Sequence, residues 1–72
     1  MSRKKFNYLR KLAEFRRKRK LTQRELAKKS GVSYNTIIKI ERGAIPNPKI
    51  ETVIKLAKTL RISIDKLVGR SL

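Results

Sequence analysis

Residues 21–43 read LTQRELAKKSGVSYNTIIKIERG, and this run places two short helices on either side of a glycine turn. Thr22 and Glu25 have the spacing of a capping box, in which the threonine hydroxyl accepts from the amide three residues on and the glutamate reaches back to the threonine amide. A helix therefore starts near Gln23, with Leu26 and Ala27 on its inward face. Gly31 follows Ser30 where a left-handed residue must end that helix, a conformation glycine adopts without a Cβ clash. Ser33 then caps a second helix that begins at Tyr34.

At about 100° per residue, Ser33, Thr36, Ile37 and Ile40 share one side of the second helix, and Tyr34, Asn35, Ile38, Lys39 and Arg42 share the other. Two helices joined in this way match the helix-turn-helix unit, whose second member lies in a major groove. A solvated helix also carries polar residues opposite its core face, so the chemistry of the outer stripe has to decide. Asparagine bonds adenine bidentately, lysine bonds guanine, and isoleucine packs on a thymine methyl. Ile38, read as facing water, is the sharpest sign, although single exposed apolar residues are common on protein surfaces.

The composition points the same way. The chain has 72 residues, with 21 Lys and Arg against 5 Asp and Glu, for a formal net charge of +16. Such a surplus implies a polyanionic partner. Ten of the basic residues lie in the first twenty positions, opposed only by Glu14. Charge alone leaves open a phosphate-tracking flank, an RNA-binding surface or a helix lying on a membrane. No run approaches the roughly 20 apolar residues that span a bilayer, and no signal-peptide pattern occurs, so a cytoplasmic, nucleoid-associated protein is expected, without membrane attachment. With neither cysteine nor histidine, and only five scattered acids, a nucleophile with its base, a zinc site or a carboxylate pair cannot be assembled. The expectation is no enzyme, no metal, no cofactor and no small-molecule ligand. Ser30 and Ser33 read as turn and cap residues, and Gly31, Gly43 and Gly69 stand singly at helix ends rather than in a phosphate-cradling loop.

Working outward, Tyr8, Leu9, Leu12, Ala13 and Phe15 gather on one face of a first helix that begins as early as Ser2 and frays near Lys18. The segment Ala44 to Pro48 holds two prolines and reads as a loop. A fourth helix follows, with Pro48 near its first turn; Ile50, Val53, Ile54, Ala57 and Leu60 lie on its inner face, and Lys55, Lys58 and Thr59 point outward. Ser63 caps a last short helix carrying Ile64, Leu67 and Val68, closed by Gly69. No strand-like alternation or internal repeat occurs, so the economical architecture is an all-α bundle of five helices. It divides into a basic segment (1–7), possible to read as continuous with the first helix, one domain (8–69) and a tail (70–72). Arg16 sits in the middle of the apolar stripe of helix 1, where an unpartnered charge is costly. Glu41, at the edge of the inner face of the third helix, is the acid chosen to pair with it; the alternative is that Arg16 snorkels past Phe15 to water.

On LTQRELAKKSGVSYNTIIKIERG, the proline loop, IETVIKLAKTL and SIDKLVG, the chain resembles the phage repressor and Cro type of helix-turn-helix, also called the xenobiotic-response-element type. The resemblance covers about positions 8 to 69. It implies a lambda-repressor-like domain of five helices with helix 2 crossing the DNA backbone and helix 3 in the major groove. It also implies a phosphate contact from Gln23, base contacts from Tyr34, Asn35, Ile38 and Lys39, and an ion pair matching Arg16 with Glu41. Arg17, Lys18, Ser33, Thr36, Arg42 and Lys49 complete the expected phosphate-facing set. The chain departs from the family at Tyr34 and Ile38, where relatives often carry Gln, Ser or Arg, and at Lys49, where many carry a serine cap. No second domain for dimerisation or ligand sensing is read, so a monomer or a weak, DNA-assisted homodimer is expected. The function read from all this is sequence-specific binding of double-stranded DNA, in a repressor-like transcriptional regulator or an engineered binder on that scaffold. The alternatives are an antitoxin-type interaction module that also binds its operator, and a non-specific nucleic-acid binder.

Overall fold

Five helices run through the described residues: α1 (Leu12–Lys18), α2 (Gln23–Ser30), α3 (Tyr34–Glu41), α4 (Ile50–Leu60) and α5 (Ile64–Val68). A computed structural model describes residues 9, 11–45 and 47–68, and among these there is no strand. The all-α, five-helix reading holds among the described residues. The early start of helix 1 at Ser2 and the contribution of Tyr8 lie outside the described residues. So do the basic positions 3–5 and 10, the closing role of Gly69, and residues 70–72. The described helix opens only at Leu12, after a turn in which the Leu12 amide bonds the Leu9 carbonyl at 3.0 Å.

Local chemistry sets three of the helix starts. The Thr22 hydroxyl accepts from the Glu25 amide at 3.0 Å, and the Thr22 amide donates to Glu25 Oε1 at 2.8 Å, so the capping box is complete. Ser33 Oγ accepts from the Thr36 amide at 3.1 Å at the head of α3, and Ser63 Oγ accepts from the Lys66 amide at 3.0 Å at the head of α5. Lys49 precedes α4 and makes no side-chain cap bond, as its departure from a serine cap implies. α2 ends on Gly31, whose φ of 80° lets its amide turn back to the Ala27 carbonyl at 2.9 Å.

α3 ends on Gly43 as read, and α1 and α4 end in the same way without a glycine. Each closes with paired backbone bonds of the Schellman kind, from the residues six to one and five to two across the end. In α3 these run from Ala44 to Lys39 and from Gly43 to Ile40. In α1 they run from Leu21 to Arg16 and from Lys20 to Arg17, and in α4 from Ile62 to Ala57 and from Arg61 to Lys58. The left-handed position is a glycine only in α3; Lys20 and Arg61 occupy it in the others, both at φ 57°. The apolar residue that follows, Leu21 or Ile62, packs against the core. Burial of that side chain offsets the steric cost of a left-handed Lys or Arg.

The core draws on every element: Leu9, Leu12, Leu26, Val32, Ile37, Ile40, Val53, Leu56, Ala57, Leu60 and Leu67 are buried. α2 packs on both α3 and α4, α1 packs on α3, and α5 on α4. On α4 the expected inner face needs correction. Val53, Ala57 and Leu60 are buried as read, but Ile50 is 64% exposed and Ile54 40% exposed, and Leu56 fills the core instead. The stripe that packs is 53, 56, 57 and 60; Ile54 stands about 100° from Val53, past its edge, and Ile50 lies in the first turn where less of the bundle covers it. Among the described residues no helix is long and apolar enough to cross a membrane.

Candidate nucleic-acid interface

α3 has two faces because Ile37 and Ile40 must be buried. With those two side chains fully enclosed, the opposite surface lies about half a turn away and falls to Asn35 and Arg42, flanked by Lys39 and Ile38. Asn35, Lys39 and Arg42 are exposed. Ile38 is half-buried rather than facing water, which corrects the reading that made it the sharpest sign; it sits on the shoulder of the helix, next in sequence to the buried Ile37. Tyr34 is also half-buried, about a quarter turn from the core stripe. The guanidinium of Arg24, from the first turn of α2, lies over its ring at 4.3 Å from the centroid.

The cap of α3 leaves a hydroxyl free to act. Ser33 Oγ accepts from the Thr36 amide and donates to Thr36 Oγ1 at 2.9 Å. With its oxygen accepting that hydrogen bond, the half-buried Thr36 hydroxyl has its own O–H left to donate.

Behind this surface lies a polar network that joins three helices. Arg16 Nε donates to Glu41 Oε2 at 2.7 Å and Nη2 donates to Oε1 at 3.1 Å, a two-pronged pair, while Nη1 donates to the Leu21 carbonyl at 2.9 Å. Gln23 Nε2 adds a third bond to Glu41, at 2.9 Å. The two charged side chains are 11% and 8% exposed, and theirs is the one ion pair among the described residues. The hydrogen bond to Glu41 raises the Arg16 pKa above its ordinary value; burial opposes this and the charge of Glu41 adds to it. The sign is that of a cation gaining a partner, so the contribution is fully present below the ordinary arginine range and is lost only as pH rises through the raised value. Across neutral pH, Arg16 stays charged. The network fixes the C-terminal end of α3 against α1 and against the start of α2, and it occupies one N–H of Gln23, leaving the other available.

The remaining expected contacts lie on the surface. Arg17 and Lys18 are exposed in the last turn of α1, where cations suit the negative end of the helix. Lys18 Nζ rests 5.6 Å from the centroid of Phe15. Lys49 is exposed at the head of α4. Arg19, one of the basic run, is tied down instead, its Nε donating to the Leu60 carbonyl at 3.1 Å. Sequence reasoning counted Arg19 among the phosphate-neutralising basic run and did not single out Arg24, since nothing in residue spacing shows what an arginine on one helix meets on another. Among the described residues no three His, Cys, Asp or Glu side chains gather to hold a metal ion.

A helix-turn-helix family model matches residues 12–67. The chain is similar to an uncharacterised HTH-type transcriptional regulator, RghRB, of Bacillus subtilis, at 47% identity over 58 residues, which are 81% of this chain and 42% of that protein. It is 43% identical over 61 residues to the cryptic phage CTXphi transcriptional repressor RstR of Vibrio cholerae, covering 85% of this chain and 54% of the repressor. An uncharacterised HTH-type transcriptional regulator of Methanocaldococcus jannaschii is 42% identical over 57 residues, 79% of this chain and 85% of that protein. The chain thus spans about half the length of the first two relatives and most of the third. No solved structure matches it significantly. The matched model runs from the first residue of α1 into α5, across the capped turn and the two-faced helix that follows it, and the chain belongs to the Cro/CI-type helix-turn-helix family.

Proposed function

We propose that this domain binds double-stranded DNA sequence-specifically, with α3 in the major groove, and that it regulates transcription in the manner of a repressor. The observation that carries the reading is α3 itself. Its isoleucine face is enclosed, and its opposite face offers Asn35 and Lys39, both exposed, on a chain of net charge +16. In this reading Asn35 and Lys39 meet base edges, with Tyr34 and Ile38 adding apolar contact to thymine methyls. Arg17, Lys18, Gln23, Ser33, Thr36, Arg42 and Lys49 contact phosphates, which set the register and make affinity fall with salt. Gln23 uses the N–H that Glu41 leaves free. The work is done without catalysis, in the cytoplasm, by a monomer or by a weak dimer that DNA brings together.

Selection from a random duplex library, followed by titration of the selected duplex against random competitor, tests this. A preference of about 10³-fold or more at physiological salt is expected. A palindromic selected sequence reports a dimer. Equal affinity for selected and random duplexes refutes sequence reading and leaves an electrostatic binder.

A further inference from the structure

The Arg24–Tyr34 stack belongs neither to the core nor to the ion-pair network. Arg24 is exposed in the first turn of α2 and Tyr34 is the first residue of α3, so the contact bridges the two helices of the motif at their leading ends. Local electrostatics do not favour a cation there, because the start of a helix is its positive end. No carboxylate pairs with Arg24 among the described residues. What holds the guanidinium is the ring, at 4.3 Å. A guanidinium seated over a ring at this distance has five N–H donors, more than the ring can engage, and a restrained fork loses less freedom when it binds an oxyanion.

We propose that Tyr34 holds Arg24 as a preset clamp on a DNA backbone phosphate. The inference rests on the DNA reading of α3 given above. A phosphate is favoured over a base because Arg24 projects from α2, the helix that crosses the backbone in this motif, and not from the helix in the groove. Tyr34 then has two tasks, with one face of its ring supporting Arg24 and its edge left for the groove.

The test measures binding of the full chain to selected and random duplexes across a salt series, for the wild type, Arg24→Gln, Tyr34→Phe, Tyr34→Leu and the Arg24→Gln/Tyr34→Leu double variant. Losing one phosphate contact lowers the slope of log affinity on log salt by about 0.9, equivalent to about an eightfold loss at 0.1 M salt that fades toward 1 M. Arg24→Gln is expected to show this equally on both duplexes. Tyr34→Phe keeps the stack and the affinity for random duplex. Tyr34→Leu loses roughly 2- to 5-fold on random duplex, the scale of an exposed cation–π contact, and loses nothing further once Arg24 is already Gln. An unchanged salt slope in Arg24→Gln overturns the clamp, and so does a changed preference confined to one base pair, which makes Arg24 a base reader. If the wild type shows no sequence preference while Arg24→Gln still lowers the slope, the functional reading fails and the clamp stands; if the wild type binds no duplex, both fall.

Discussion

Glu41→Ala removes the acceptor of three hydrogen bonds, two from Arg16 and one from Gln23, and leaves the Arg16 guanidinium with the Leu21 carbonyl alone. Arg16 is 9% exposed, so in the intact protein the carboxylate rather than water meets its charge. Two unit charges about 4 Å apart interact by about 4 kcal/mol at the effective dielectric of a partly buried site. Breaking a buried pair on one side costs about 3–5 kcal/mol by experience with such pairs, so the two routes agree. A chain of 72 residues has a total stability of about 4–11 kcal/mol, which makes this single change enough to leave the domain marginal. Replacing both partners by apolar residues removes the stranded charge, so Arg16→Met/Glu41→Leu is expected to recover most of the loss. Urea unfolding followed by circular dichroism, applied to Arg16→Met, Glu41→Leu and their double variant beside Glu41→Ala, closes the cycle. A loss under about 1 kcal/mol for Glu41→Ala is the size of a solvated surface pair and refutes the burial argument. A double variant no more stable than Glu41→Ala refutes the stranded charge as the cause.

Gly31→Ala forces a Cβ into a left-handed residue with no neighbouring atom within 4 Å, so the cost is backbone strain alone, about 1–2 kcal/mol in denaturant unfolding; a neutral result means the turn has another conformation open to it. Arg61→Gly and Lys20→Gly relieve the same strain at the ends of α4 and α1, and each is expected to gain about 0.5–1 kcal/mol, a rise of a few degrees in Tm. A fall in Tm shows that the long side chain contributes more than its backbone costs. Asn35→Ala is expected to lose about 1–3 kcal/mol of discrimination between selected and random duplexes, while Arg17→Ala weakens both alike. Equal weakening by Asn35→Ala removes it from base readout.

Wherever a side chain answers a backbone group a few residues away, the sequence by itself determined the outcome. Thr22 with Glu25, Ser33 with Thr36, Ser63 with Lys66 and the left-handed Gly31 are each complete within a single turn of chain, so type and spacing sufficed to read them. The two faces of α3 were legible for a related reason, since two isoleucines at i and i+3 leave one side to bury and the rest of the helix follows by geometry. Tertiary structure decided what depends on which surface a neighbour covers. Ile50 and Ile54 fit an amphipathic pattern, yet the stripe that packs is the one containing Leu56, and Ile50 stays mostly exposed and Ile54 partly so. Lys20 and Arg61 turn left-handed against their own preference because the apolar residue behind each gains a place in the core, a gain that exists only once the bundle has formed. The bonding of Gln23 to Glu41 and the stack of Arg24 on Tyr34 also join residues far apart in the chain. Long polar side chains have many equal rotamers, and only the packed helices around them select one.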